Sequence, residues 1–170
     1  AMDLTGAWSL PDGSALVGTF RRGPLQLAGE QLVPVREGFQ ATVTGGAAMD
    51  AGGRLMLAAM GTGVYLSDDA GQSWYTLPGG DAPVTDSVAV VPHGDGLLVV
   101  DFEGITFLDA AGEWVRSPRI QDVNAQAGGV NLASAAFDAQ DRLWALDRRG
   151  QLYQLQGETW RTCRQRGLRL

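Results

Sequence analysis

The chain has 170 residues, 45% hydrophobic and 19% charged, a balance that suits one domain with a sizeable core and excludes a disordered chain. Its net charge of −6 argues against nucleic acid as a partner, because nonspecific binding needs clustered cations to displace counterions. A single cysteine, Cys163, and a single histidine, His93, exclude an intrachain disulfide, the usual zinc cages and most histidine-based triads, so no metal, cofactor or catalytic residue is expected.

The predicted elements are short strands, and they repeat. Residues 5–37 hold "GAWSL", "ALVGTF", "GPLQLAG" and "QLVPV", with "PDGS" and "RRG" as turns. Residues 40–79 hold "ATVTGGAAM", "LMLAAM", "GVYLSD" and "WYTL", with "DAGGR" and "GTG" between the first three. Residues 86–118 hold "SVAVV", "LLVVDF", "GITFLD" and "EWVRS", with "PHGDG" and "EG". Residues 131–164 hold "LASAAF", "LWALD", "QLYQLQ" and "TWRTC", with "DAQDR" and a second "RRG". Each run is four to nine residues long and bounded by glycine and acid turns, the strand rather than the helix pattern. No apolar run approaches the ~20 residues that span a bilayer, and the start "AMDLTGAWSL" lacks the shape of a signal peptide. The stretch "RIQDVNAQAGGVN" reads as a long connection.

Trp74, Trp114 and Trp160 close the third-to-fourth strand turns of the last three units, 40 and 46 residues apart, and Leu32 stands near that place in the first. Four four-stranded antiparallel meanders of ~40–45 residues predict an all-β fold, a β-propeller of four blades forming one domain. A β-sandwich would not explain the same turn chemistry four times in register. Four blades leave three outcomes: a small closed ring, a fragment of a longer propeller, or half of an eight-bladed ring that a homodimer completes. Twofold pairing is preferred, since it buries both raw sheet faces at once. Small residues in the first strands, such as Gly45, Gly46, Ala47 and Ala48 or Ala133, Ser134 and Ala135, permit close approach to an axis.

The stretch "SDDAGQSW" resembles the Asp-box of the BNR repeat family, with Ser67, Asp69, Gly71, Ser73 and Trp74 matching. Its expected role is a structural staple: an Asp in a tight turn accepts backbone N–H groups, glycine supplies positive φ and the indole folds over the hairpin. Asp68 and Asp69 are adjacent on one turn, unlike the facing carboxylates of glycosidases. The alternating acids of an EF-hand are missing. Sialidases resemble this chain only in the repeats. It lacks their early arginine motif, and Tyr65, Tyr75 and Tyr153 all follow the strand pattern.

The chain is also similar to bacterial relatives of the photosystem II stability and assembly factors. That resemblance implies a noncatalytic propeller that binds a protein client, with an arginine-rich surface in some members. The phrase "AQDRLWALDRRGQLYQL" resembles blades of two-component sensor propellers, which implies an extracytoplasmic ligand-sensing domain as an alternative. A periplasmic or secreted setting is therefore the favoured location. A glycan-active hydrolase or lyase using channel-face acids is the rival from another class; Asp101 and Glu103, which flank Phe102, could line a pocket, but nothing in the sequence singles them out.

In such blades the loops between second and third strands share a face with the blade-to-blade connections. Arg21 and Arg22 of the first unit and Arg148 and Arg149 of the fourth fall there, a candidate partner-binding set suited to carboxylate or phosphate groups. Thr44, Asp86 and Asn131 are expected to look into a central channel. His93 is expected to be a solvated turn residue and Cys163 an idle thiol.

Overall fold

Each repeat folds as one antiparallel meander, and the computed structural model describes residues 4–10, 12–20, 22–35, 43–77, 86–102, 104–109, 111–118 and 131–163. The first blade comprises β1 (Leu4–Ser9), β2 (Ala15–Thr19), β3 (Leu25–Ala28) and β4 (Gln31–Pro34). The second comprises β5 (Val43–Met49), β6 (Leu55–Met60), β7 (Gly63–Ser67) and β8 (Tyr75–Thr76). The third comprises β9 (Ser87–His93), β10 (Gly96–Asp101), β11 (Ile105–Leu108) and β12 (Trp114–Arg116). The fourth comprises β13 (Leu132–Phe137), β14 (Leu143–Asp147), β15 (Leu152–Gln156) and β16 (Thr159–Cys163). Within every sheet the strands pair in chain order. The fold is all-β, a β-propeller arc of four blades. Among the described residues no helix is long and apolar enough to cross a membrane.

The first strands of consecutive blades touch, β1 with β5, β5 with β9 and β9 with β13, which makes them the innermost strands. Gly46 shows how close they come, since a Cβ there would stand 3.3 Å from the Val88 carbonyl oxygen. All four sheets carry a register slip at one equivalent place, between Leu4 and Gly6, Thr44 and Gly46, Ser87 and Ala89, and Leu132 and Ser134. An extra residue there leaves one inner position unpaired and sharpens the local twist. Among the described strands, none of the first blade makes more than marginal contact with any of the fourth. Among the described residues the four blades thus form an arc rather than a closed ring.

Because side chains alternate across a strand, each sheet offers one surface to the preceding blade and one to the following blade. Three apolar clusters fill the three seams. Leu10 and Leu16 of the first blade meet Leu55, Leu57, Ala59, Tyr65 and Trp74 of the second. Met56, Ala58, Val64 and Leu66 on the second blade's other surface meet Val90, Leu97 and Val99 of the third. Val88, Leu98, Val100 and Ile105 then meet Leu132, Leu143, Ala145, Tyr153 and Trp160 of the fourth. Each large side chain buried this way contributes about 1.5–3 kcal/mol. The repeating tryptophan has its explanation here, for Trp74 and Trp160 lie buried against the preceding blade and Trp114 is packed half-buried at the same position.

One seam position breaks the pattern. Tyr65 pairs with Leu57 and Tyr153 with Ala145, while the equivalent partner of Val99 is Thr106. Thr106 is fully buried, and its hydroxyl is without a hydrogen-bond partner. Removing a buried, unsatisfied hydroxyl while keeping side-chain shape relieves a desolvation cost of about 1–3 kcal/mol. Thr106→Val is therefore expected to raise the unfolding free energy by about 1 kcal/mol in urea denaturation. A loss of stability would show the hydroxyl to be satisfied.

Candidate functional site

Four strands in a meander put the first-to-second and third-to-fourth turns on one face of the arc. The second-to-third loops lie on the other, with the blade-to-blade connections. The two faces differ in chemistry, and the turn face is occupied by structural acids.

In the turn from Ser67 to Trp74, Asp69 Oδ1 accepts the Ser67 hydroxyl at 2.8 Å and the Ser73 amide at 2.9 Å, while Oδ2 accepts the Ser73 hydroxyl at 2.5 Å. Ser67 Oγ in turn accepts the Gly71 amide, and the Trp74 indole N–H donates to the Gly71 carbonyl. Gly71 has a φ of 90°, a conformation that suits glycine and strains other residues. The Ser73 hydroxyl, the Ser73 amide and the Ser67 hydroxyl together pull the Asp69 carboxyl from 3.8 to about 2. Both oxygens of this acid are thus engaged by its own turn. Neighbouring Asp68 accepts the Tyr75 hydroxyl at 2.7 Å.

A second recurrent device escaped the sequence reading. Asp50, Asp109, Asp138 and Asp147 each accept, on Oδ1, the amides of the residues two and four positions on, at 2.8–3.0 Å. The residue three positions on has positive φ in all four, as Gly53, Gly112, Asp141 and Gly150. The segments "DAGGR", "DAAGE", "DAQDR" and "DRRGQ" share this five-residue turn, whose signal is an Asp three residues before a residue tolerant of positive φ.

On the loop face, the sequence-predicted arginines have different surroundings. Arg21 lies outside the described residues. Arg22 is exposed, and its amide donates to the Thr19 hydroxyl, which itself donates to the Gly23 carbonyl at 2.6 Å. Arg149 turns back onto the buried Asp147, with Nε at 2.9 Å and Nη2 at 2.8 Å from Oδ2. Burial pushes the Asp147 carboxyl up, but the Gln151 amide, the Arg149 guanidinium and amide and the Tyr153 hydroxyl outweigh it, so the group stays below its usual range. The same carboxylate raises the Arg149 guanidinium, chiefly by hydrogen bonding. Arg148 is exposed; its guanidinium carbon stands 5.1 Å over the Phe102 ring of the third blade and its amide donates to the Asn131 carbonyl. The loop face thus places Arg148 at the seam between the third and fourth blades. Arg22 belongs to the far end of the arc, and the described strands of those two end blades are not packed together.

Of the two acids that flank Phe102, one is engaged within its own blade. Asp101 is buried, accepts the Gly104 amide at 2.7 Å and pairs with Arg116 at 3.3 Å; Glu103 lies outside the described residues. His93 is not a free turn residue. Its ring stacks on Phe137 at 3.9 Å between centroids, and Nε2 lies 2.8 Å from Asp141 Oδ1, clasping the third blade to the fourth. The partner is 48 residues away in sequence, which is why composition did not reveal it. Asp86 is exposed and bridges Met60. No cluster of metal-ligating side chains occurs among the described residues.

Comparison with solved structures agrees with this fold. The extracellular domain of the putative one component system BT4673 from B. thetaiotaomicron superposes with a TM-score of 0.74 at 11% identity, over 99% of this chain and 22% of that one. YCF48 from Cyanidioschyzon merolae gives 0.70 at 14% identity, over 99% and 58%; YCF48 bound to D1 peptide gives 0.57 at 16%, over 88% and 49%. A catalytically inactive virginiamycin B lyase from Staphylococcus aureus gives 0.68 at 8%, over 98% and 57%. The chain therefore spans under a quarter of the BT4673 extracellular domain and under three-fifths of the other two proteins. No family model matches the sequence, and no curated protein matches it as a relative.

The Asp69 carboxyl has a lower pKa folded than unfolded, so its stabilising contribution is complete above about pH 4 and is lost as pH falls through 2. Asp69→Asn is expected to flatten the decline in urea-unfolding free energy between pH 4 and 2 relative to the parent. Parallel pH profiles for the two proteins would contradict that account.

Proposed function

We propose that the chain is a noncatalytic binding module whose loop face recognises acidic groups of a protein partner. The observation that carries this reading is Arg148, exposed at a blade seam and held over Phe102. A stacked guanidinium is oriented with its edge N–H groups outward, where a carboxylate can take two of them with little loss of side-chain freedom. Arg149, matched by Asp147, shapes the loop more than it offers charge. Arg22, and Arg21 beside it in sequence, join the same face once the ring is complete. Peptide binding by YCF48, a structural neighbour, supports the class of partner. The Ser67–Trp74 turn supports kinship with Asp-box propellers. We assign the chain an extracytoplasmic setting, with a ligand-sensing domain as the second reading, because a structural neighbour is an extracellular domain. The loop-face acids Asp101 and Asp147 favour neither hydrolysis nor elimination, since each is already held by an arginine.

Among the described residues the two end blades each leave part of one sheet surface open, and we infer that a second copy of the chain covers both as a homodimer.

The binding reading is tested with a displayed library of random dodecapeptides selected on the protein. Acidic peptides are expected to enrich, and Arg148→Glu to weaken the enriched peptides at least about tenfold, with affinity falling as salt rises. Enrichment of apolar peptides indifferent to Arg148→Glu would contradict it.

A further inference from the structure

The two ends of the arc carry the same surfaces that are buried at its three internal seams. By register, Leu32 of the first blade faces Leu27 as Trp114 faces Leu108 and Trp160 faces Leu155. Where a preceding blade packs against it this position is covered, and Trp160 is only 8% exposed; Leu32, with no blade packed over it among the described residues, is 40% exposed. Leu27 beside it is 37% exposed, while Val17 and Leu25 farther in on the same surface are already buried, so the open part of this surface is the strip around Leu27 and Leu32.

The other end repeats the observation with the opposite surface. Leu146 pairs with Leu152 as Ala58 pairs with Val64 and Val100 with Ile105. Ala58 and Val100 are 0% exposed against the blade that follows them, whereas Leu146 is 36% exposed. Trp144, two residues earlier on the same surface, stands where the buried Met56 and Leu98 stand in the second and third blades. Cross-strand partners share a face of the sheet, so these equivalences fix which surface each residue belongs to.

We infer that the surface of the first blade around Leu27 and Leu32 docks onto the surface of the fourth blade around Trp144 and Leu146 in a second copy of this chain, head to tail. This rests on the homodimer reading and names its two faces. The occupant follows from continuity with the internal seams: at each of the three, a first-blade-type surface meets a fourth-blade-type surface, never its own kind. Two copies related by a twofold axis make this contact twice, so both seams form together and no raw surface remains. The seams also bring the Arg22 loop of one copy beside the Arg148 and Arg149 loop of the other on the loop face.

The test is light scattering across a dilution series on the parent chain, on Leu32→Asp, on Leu146→Asp and on an equimolar mixture of the two variants. Both substitutions fall at exposed positions, and Leu27→Lys and a circular-dichroism melt guard against misfolding. The parent is expected at twice 18.0 kDa. Each variant alone spoils both seams, so each is expected to dissociate at least about a hundredfold more readily, because a carboxylate would be buried unpaired. The mixture retains one unaltered seam, between the fourth blade of the Leu32→Asp chain and the first blade of the Leu146→Asp chain, and is expected to recover a two-copy species. A parent that stays at 18.0 kDa, growth beyond two copies, or sensitivity to only one of the two substitutions would overturn the proposal. So would failure of the mixture to recover. Peptide binding through Arg148 does not enter any of these readouts, so either reading can fail alone.

Discussion

Apolar side chains on both surfaces of a four-stranded sheet must be covered by other sheets, and that requirement governs everything else in this chain. A lone sheet with two apolar surfaces would leave both in water, at a cost that grows with the apolar area exposed. Here the solution is serial: each blade covers the surface its predecessor leaves open and leaves one open in turn. The seams are asymmetric, with large aromatics such as Tyr65, Trp74, Tyr153 and Trp160 projecting backward onto the preceding blade. The side chains they meet are smaller and mostly aliphatic, as at Leu10, Leu16, Leu98 and Val100.

Backbone acids serve the same end. Strand register decides which residues enter a seam, and a slip of one residue would reverse every side chain. The Asp turns at Asp50, Asp109, Asp138 and Asp147 fix register at hairpin ends by binding two amides each. The bulge shared by all four inner strands tightens the sheets next to the axis. Asp50, Asp109 and Asp138 do this on the turn face, and Asp147 does it on the loop face, where it also holds Arg149.

Much of the fold was legible because seam packing leaves a periodic trace in sequence. Trp74, Trp114 and Trp160 mark the third-to-fourth turn of their blades, and Leu32 stands at that place in the first. The strands "LASAAF", "LWALD", "LMLAAM" and "TWRTC" fall at Leu132–Phe137, Leu143–Asp147, Leu55–Met60 and Thr159–Cys163 as read. The site was less legible. Two "RRG" loops look alike, yet the fourth blade's carries Asp147 just before its arginines and the first blade's carries Thr19 and Phe20. Arg149 is thereby committed to its own loop. The ring under Arg148 and the acid against His93 come from other blades, and only the folded arrangement shows them.

Native-state hydrogen exchange resolved by strand tests the seam account most directly, because exchange reports the free energy of local opening. If coverage by neighbours stabilises the blades, amides of β6 and β10, which lie between two covered surfaces, will be protected at least about a hundredfold more than those of β3 and β4. Equal protection in these four strands would mean that each blade is stable on its own and would contradict the account.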